Sequence, residues 1–264
     1  MTIPADPTTR ALRDEPRVAL LAFVVMVAGM VATPLFERGG DERRLLALVV
    51  VVALFATAVV ASTASHGVRS LVVAGAIVVV TFLVEVLGSR TGFPFGEYDY
   101  TGALSPQLFG VPVVVSFAWA GITLTVHSAL RDISVGSPRT AASARITTMA
   151  LAITAWDVFL DPQMVGEGYW RWEPASPSFR GIPLVNYLGW MLTAGVTATL
   201  ALIGCGPVRR PASSLPRITY ATLAVLSTLG FLFFFDDAVV AVVGALAMGC
   251  FVVVSWRGAG RTSS

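Results

Sequence analysis

Apolar stretches about as long as a bilayer is thick follow one another along most of this chain. In hydrocarbon every backbone N–H and C=O must be satisfied within the protein, which restricts such a chain to helices or a closed barrel. A crossing helix needs roughly 20 apolar residues, about twice what a tilted strand needs, so helices are expected. Eight spans are predicted, near 18–36, 45–63, 69–88, 112–130, 141–161, 184–205, 217–235 and 238–256. The last two are separated only by Asp236-Asp237 and read as a tight hairpin. Charged residues make up 13% of the 264, against about 25% in soluble domains. The expected fold class is all-α, a polytopic membrane helical bundle. It forms a single domain over 17–257, between disordered polar tails at 1–16 and 258–264. The first run follows Arg10, Arg13 and Arg17 as a signal peptide would. It is long, however, and Pro34 comes after its small residues, so it reads as a retained span.

All the basic residues are Arg, and without Lys there is no Schiff-base chemistry. The net charge of +2 is too small to suggest nucleic acid as a partner. With the N-terminus inside, the outer segments hold Arg38, Arg43, Arg44, Arg90, Arg171 and Arg180, and the inner ones hold the remaining two-thirds. The positive-inside rule then places both termini in the cytoplasm of a multi-pass cell-membrane protein, with only the first loop dissenting. Cys205 and Cys250 lie in apolar runs and imply no disulfide framework.

Within this apolar chain the carboxyls stand out. Asp157 and Asp161 are four residues apart, which puts them on one helix face, inside a span where ionisable groups are costly and commonly functional. Two carboxyls on one apolar face repel if both ionise, so a neutral acid beside an ionised partner is expected, an acid/base pair. The structural alternative is that they tie helices together through the backbone or Arg90. Glu85 falls near the outer end of the third span. Asp236-Asp237 reads as a solvated turn.

The long segments 89–111 and 162–183 resemble each other. Gly110-Val111-Pro112 with Trp119 matches Gly181-Ile182-Pro183 with Trp190, Gly96-Glu97 matches Gly166-Glu167, and Glu85 corresponds to Asp157, all at an offset near 71 residues. Spans three and four therefore read as a parallel duplicate of five and six. That relation would bring Glu85 and Asp157 to opposite walls of one cavity. Pro and Trp also recur at membrane interfaces for ordinary reasons. Phe93, Phe95, Tyr98, Tyr100, Trp119, Trp156, Tyr169, Trp170, Trp172, Tyr187 and Trp190 fall at the same level. They serve either as interface anchors or as a cavity wall whose ring faces stabilise cations. His66 and His127 are the only histidines, too few for a di-iron hydroxylase, though a bis-His haem is formally open. There is no phosphate loop, nucleophile elbow or zinc spacing. What remains is cofactor-free, metal-free acid/base chemistry on a lipophilic molecule.

The segments GFPFGEYDYT (92–101), GVPVVVSFAW (110–119), WDVFLDPQMV (156–165), GYWRW (168–172) and GIPLVNYLGW (181–190) resemble the carotenoid-biosynthesis integral membrane family. That family is of the bisanhydrobacterioruberin hydratase and carotenoid 1,2-hydratase type. The resemblance covers about residues 80–195; the early spans carry no matching motif. It implies addition of water across the terminal isoprenoid double bond of an acyclic carotenoid, without a cofactor. The expected substrate is a carotenoid delivered by the membrane lipids, and other carotenoid-pathway enzymes are potential partners. From chemistry, Asp157, Asp161 and Glu85 are the candidate acid/base groups. Trp119, Trp156, Trp170, Trp190, Tyr98, Tyr100, Phe95 and Asn186 are the candidate substrate-binding residues. The alternative is a small transporter, or a lipid-binding or accessory protein of a carotenoid pathway.

Overall fold

A computed structural model describes residues 16–133, 137, 139–209 and 213–262. Arg10, Arg13, Arg210 and most of the expected N-terminal tail lie outside the described residues. The eight predicted spans correspond to eight helices: α1 (Arg17–Ala32), α2 (Asp41–His66), α3 (Arg69–Thr91), α4 (Val113–Ala129), α5 (Ala141–Gly166), α6 (Leu184–Gly204), α7 (Leu215–Phe233) and α8 (Ala238–Thr262). Their ends follow local chemistry. A 3₁₀ turn at Thr33–Leu35 takes over from α1 where Pro34 intervenes. Asp41 and Glu42 occupy the first turn of α2, where the helix dipole favours negative charge. Gly92 closes α3 in the left-handed region. Several helices overrun their expected spans: α2 runs from Asp41 to His66, α3 reaches Thr91, α5 continues past Pro162 to Gly166, and α8 runs to Thr262.

Six of the helices are long and apolar enough to cross a membrane. Exposed Leu21, Val72, Leu83, Leu192 and Leu246 face outward from them, as lipid-facing positions should. Of the other two, α4 is only 17 residues long, and α5 carries Arg145, Asp157 and Asp161. From Ala118 to Ala129 every residue of α4 is buried, so this helix is the central post around which the others stand. A helix apolar all round belongs in such a position.

The repeat is legible in the coordinates. β1 (Tyr98–Tyr100), β2 (Gln107–Leu108) and β3 (Val111–Pro112) follow α3, and β4 (Trp170–Trp172), β5 (Ser178–Phe179) and β6 (Ile182–Pro183) follow α5 in the same order. β2 pairs with β3 and β5 with β6, each pair antiparallel. Phe109 and Arg180 share a positive φ of 53° and 54°, each followed by a left-handed glycine, Gly110 or Gly181. β1 pairs with β4 about Asp99 opposite Arg171, and the flanking bonds repeat the exchange: Thr101 N donates to Tyr169 O and Glu173 N to Glu97 O. Equivalent strands paired antiparallel in this way are related by a local two-fold axis. Because α3 and α5 both end at this ribbon, the two halves point the same way. Trp119 of α4 stacks on its counterpart Trp190 of α6 at 3.6 Å.

Candidate active site

Strand geometry explains how the ribbon reaches the interior. Alternate residues face one side, so Tyr98, Tyr100, Trp170 and Trp172 share a face, while Asp99 and Arg171 are exposed on the other. Below that face lie Glu85 of α3 and Asp157 and Asp161 of α5, buried at 3% exposure or less. Glu85 Oε2 accepts hydrogen bonds from the Tyr98 hydroxyl at 2.6 Å and the Tyr100 hydroxyl at 2.7 Å. Burial, then the neighbouring Glu85 carboxyl, raise both phenol pKa values above the usual tyrosine value, so both stay protonated as donors. Asp161 Oδ1 accepts from Trp170 Nε1 at 3.2 Å. Asn186 Nδ2, from α6, donates to Asp161 Oδ2 and, at 3.4 Å, to Asp157 Oδ2. Among the described residues Asp157 Oδ1 has no hydrogen-bond partner.

All three carboxyls, both tyrosines and Asn186 line one hollow, walled by the indoles of Trp119, Trp170, Trp172 and Trp190. Its free volume is about 10 Å³, the room of a single water molecule. Beside it lies an apolar chamber of about 140 Å³, which shares Val115, Leu160 and Trp170 with the hollow. Trp156 and residues of α1, α2 and α7, including Met30, Val51 and Leu223, complete its wall. The buried Arg43–Glu167 ion pair also lines it. Arg43 Nε further donates to Thr33 O and Phe36 O, both at 3.0 Å, fixing the α1–α2 connection against the end of α5.

The structure thus brings the three candidate acids into one place, with Tyr98, Tyr100, Trp119, Trp170, Trp190 and Asn186 around them. Trp156 faces the chamber instead. Phe95 stands behind the site: fully buried, it stacks on Trp190 at 4.4 Å and wedges between Gly88 and Gly189, where a Cβ would meet it at 2.5 and 2.7 Å. Trp172 is named by the sequence only as one of the aromatics at this level, and the Arg43–Glu167 pair and the contributions of α1, α2 and α7 are not singled out at all. The alternation of Tyr98, Tyr100, Trp170 and Trp172 was the signal for Trp172; nothing local marked the others. Asp237 caps α8 through Val239 N and Val240 N and pairs with Arg180, as the turn reading expected. Arg90 lies over the Phe109 ring rather than against an acid. His66 and His127 are buried with ring centroids 5.3 Å apart, too close for a haem iron to sit between them. Neither Cys205 nor Cys250 is in a disulfide.

Fold and site together define a polytopic membrane protein with a carboxyl-and-indole pocket opening beside an apolar chamber. Residues 44–255 match the family model described as carotenoid biosynthesis protein, and the chain belongs to that family. It is also similar to the bisanhydrobacterioruberin hydratase of Haloarcula japonica, 31% identical over 126 residues, 47% of this chain and 42% of the relative. The match therefore spans less than half of either protein. No solved structure matches the chain.

Proposed function

We propose that this protein hydrates the terminal isoprenoid double bond of an acyclic carotenoid by carboxyl acid/base catalysis through a tertiary carbocation. The observation that carries the reading is the convergence of Glu85, Asp157 and Asp161 in an indole-walled hollow beside an apolar chamber. The named hydratase relative points to the same chemistry.

Hydrogen-bond partners divide the roles. Glu85 is held by two hydroxyl donors and Asp161 by an indole and an amide N–H, and donors of this kind favour a carboxylate. Asp157 has the one long bond to Asn186 and a free Oδ1, which suits it to carry the proton. The end group enters the chamber from the bilayer, and Asp157 protonates the less substituted alkene carbon. The faces of Trp119 and Trp170 stabilise the tertiary cation, with Trp190 held behind them between Trp119 and Phe95. A water oxygen bonds to the more substituted, cationic carbon while Glu85 takes the released proton, and proton return from Glu85 to Asp157 resets the site. No group beyond the chain's own is required for atoms and charge to balance. The Arg distribution puts the ribbon end of the bundle outside and both termini in the cytoplasm.

The test is expression in cells that accumulate a linear carotene, with pigments followed by mass spectrometry for the gain of one water. Asp157→Asn should lower conversion by about 10²–10⁴-fold, the usual worth of a general acid, with the protein still in the membrane. Wild-type conversion by that variant would defeat the assignment of the acid.

A further inference from the structure

Asn186 and Trp172 both line the hollow, and each carries one buried polar atom without a partner among the described residues: Asn186 Oδ1 and Trp172 Nε1. The orientation of Asn186 follows from its neighbours. Asp161, the ionised partner, only accepts and faces the amide nitrogen, so Oδ1 is turned away from Asp161. Buried polar atoms are ordinarily satisfied, and each exception asks for an explanation. Here one is an acceptor and the other a donor, both carried by the second half of the repeat. Glu85 lines the same hollow with Oε2 fixed by two phenols. A buried water makes about three hydrogen bonds and needs about 10–15 Å³. The hollow, at about 10 Å³, has that room and is bordered by all three residues.

We infer that the hollow is a specific water site formed by Asn186, Trp172 and Glu85, and that it presents the attacking water to the carbocation. The inference rests on the hydration reading and assigns what that reading leaves open, the origin of the nucleophile. Trp172 Nε1 donates to the water oxygen, and the water gives its hydrogens to Asn186 Oδ1 and the Glu85 carboxylate. When the C–O bond forms, the O–H bond toward Glu85 breaks and that carboxylate takes the proton. Asn186 and Trp172 are positioning residues in this scheme. Without them Asp157 still protonates the alkene, but the cation has one exit, loss of a proton.

That separation can be measured in membranes carrying the whole protein, in deuterium oxide, with a linear carotene having unmodified isoprenoid ends as the probe. Two readouts are followed by mass spectrometry: formation of the alcohol, and deuterium gained by carotene that has not been hydrated. Trp172→Phe keeps an aromatic ring beside Tyr98 and removes the donor together with the five-membered half of the indole. Asn186→Leu removes the acceptor, together with the amide that faces the acids. In both, hydration is expected to fall about tenfold or more, the worth of one buried hydrogen bond, and in Trp172→Phe exchange into unreacted carotene persists at the wild-type rate or above. Trp172→Phe decides the matter. If its hydration is unchanged, or if exchange falls in step with hydration, the water site is wrong. A wild-type protein that neither hydrates nor exchanges removes the hydration reading itself and the water site with it.

Discussion

Removing Glu167 while leaving Arg43 in place isolates a positive charge inside the bundle, and the structure sets the size of the effect. The two side chains are only 5% and 2% exposed, so water cannot replace the lost carboxylate. Breaking a buried pair by deleting one partner costs about 3–5 kcal/mol. Arg43 keeps its bonds to Thr33 O and Phe36 O, which places Glu167→Met at the low end, about 3 kcal/mol. At about 1.4 kcal/mol per tenfold, the folded-to-unfolded ratio drops on the order of 10²-fold. The double variant Arg43→Met with Glu167→Met leaves no orphan charge and should return to within about 1 kcal/mol of the wild type. Purified protein titrated with SDS in mixed micelles, with unfolding followed by tryptophan fluorescence, reads all four corners of the cycle. If the double variant loses as much as the two single changes added together, the pair is not coupled and the reasoning fails.

Gly189→Ala should disturb the site without touching an acid. Its new Cβ would meet Pro94 O and Phe95 Cδ1 at 2.7 Å, an overpacking of about 1–3 kcal/mol that pushes Phe95 off Trp190. Altered near-ultraviolet circular dichroism and reduced hydration are the expected signs, and a wild-type spectrum would count against the wedge. Tyr98→Phe and Tyr100→Phe each take one donor from Glu85, costing about 1–3 kcal/mol for a buried acceptor. The double change should exceed either alone in the SDS titration and in pigment turnover; a silent double variant would contradict the shared role.

Much of the architecture is written in local sequence, because membrane crossing is a property of single segments. Each of the eight apolar runs becomes a helix, and the Asp236-Asp237 break becomes the α7–α8 turn. The duplication was visible because Gly110-Val111-Pro112 and Gly181-Ile182-Pro183 make the same turn, and a left-handed residue pair leaves a trace in residue type. Asp157 and Asp161 could be placed on one face from their spacing alone. The meeting of Glu85 with that face needed the repeat as well. What stayed hidden depends on contact between remote segments. Arg43 counted only as a dissenting loop charge, because its partner Glu167 is 124 residues away. The chamber wall drawn from α1, α2 and α7 uses Met30, Val51 and Leu223, which look like any lipid-facing residue. Phe95 was grouped with the cavity residues by its level, yet the two glycines that admit it set it behind Trp190.

The ribbon between Tyr98–Tyr100 and Trp170–Trp172 has one more implication. A pocket straddling a dyad begins with the same group on both sides, and equals cannot divide the giving and taking of a proton. Here the counterpart of Asp157 is Glu85, one carbon longer and gripped by two phenols, while facing Asp157 the strand offers indoles. Carried on one polypeptide the halves need not stay identical, and in the proposed hydration that mismatch would give the pocket a direction.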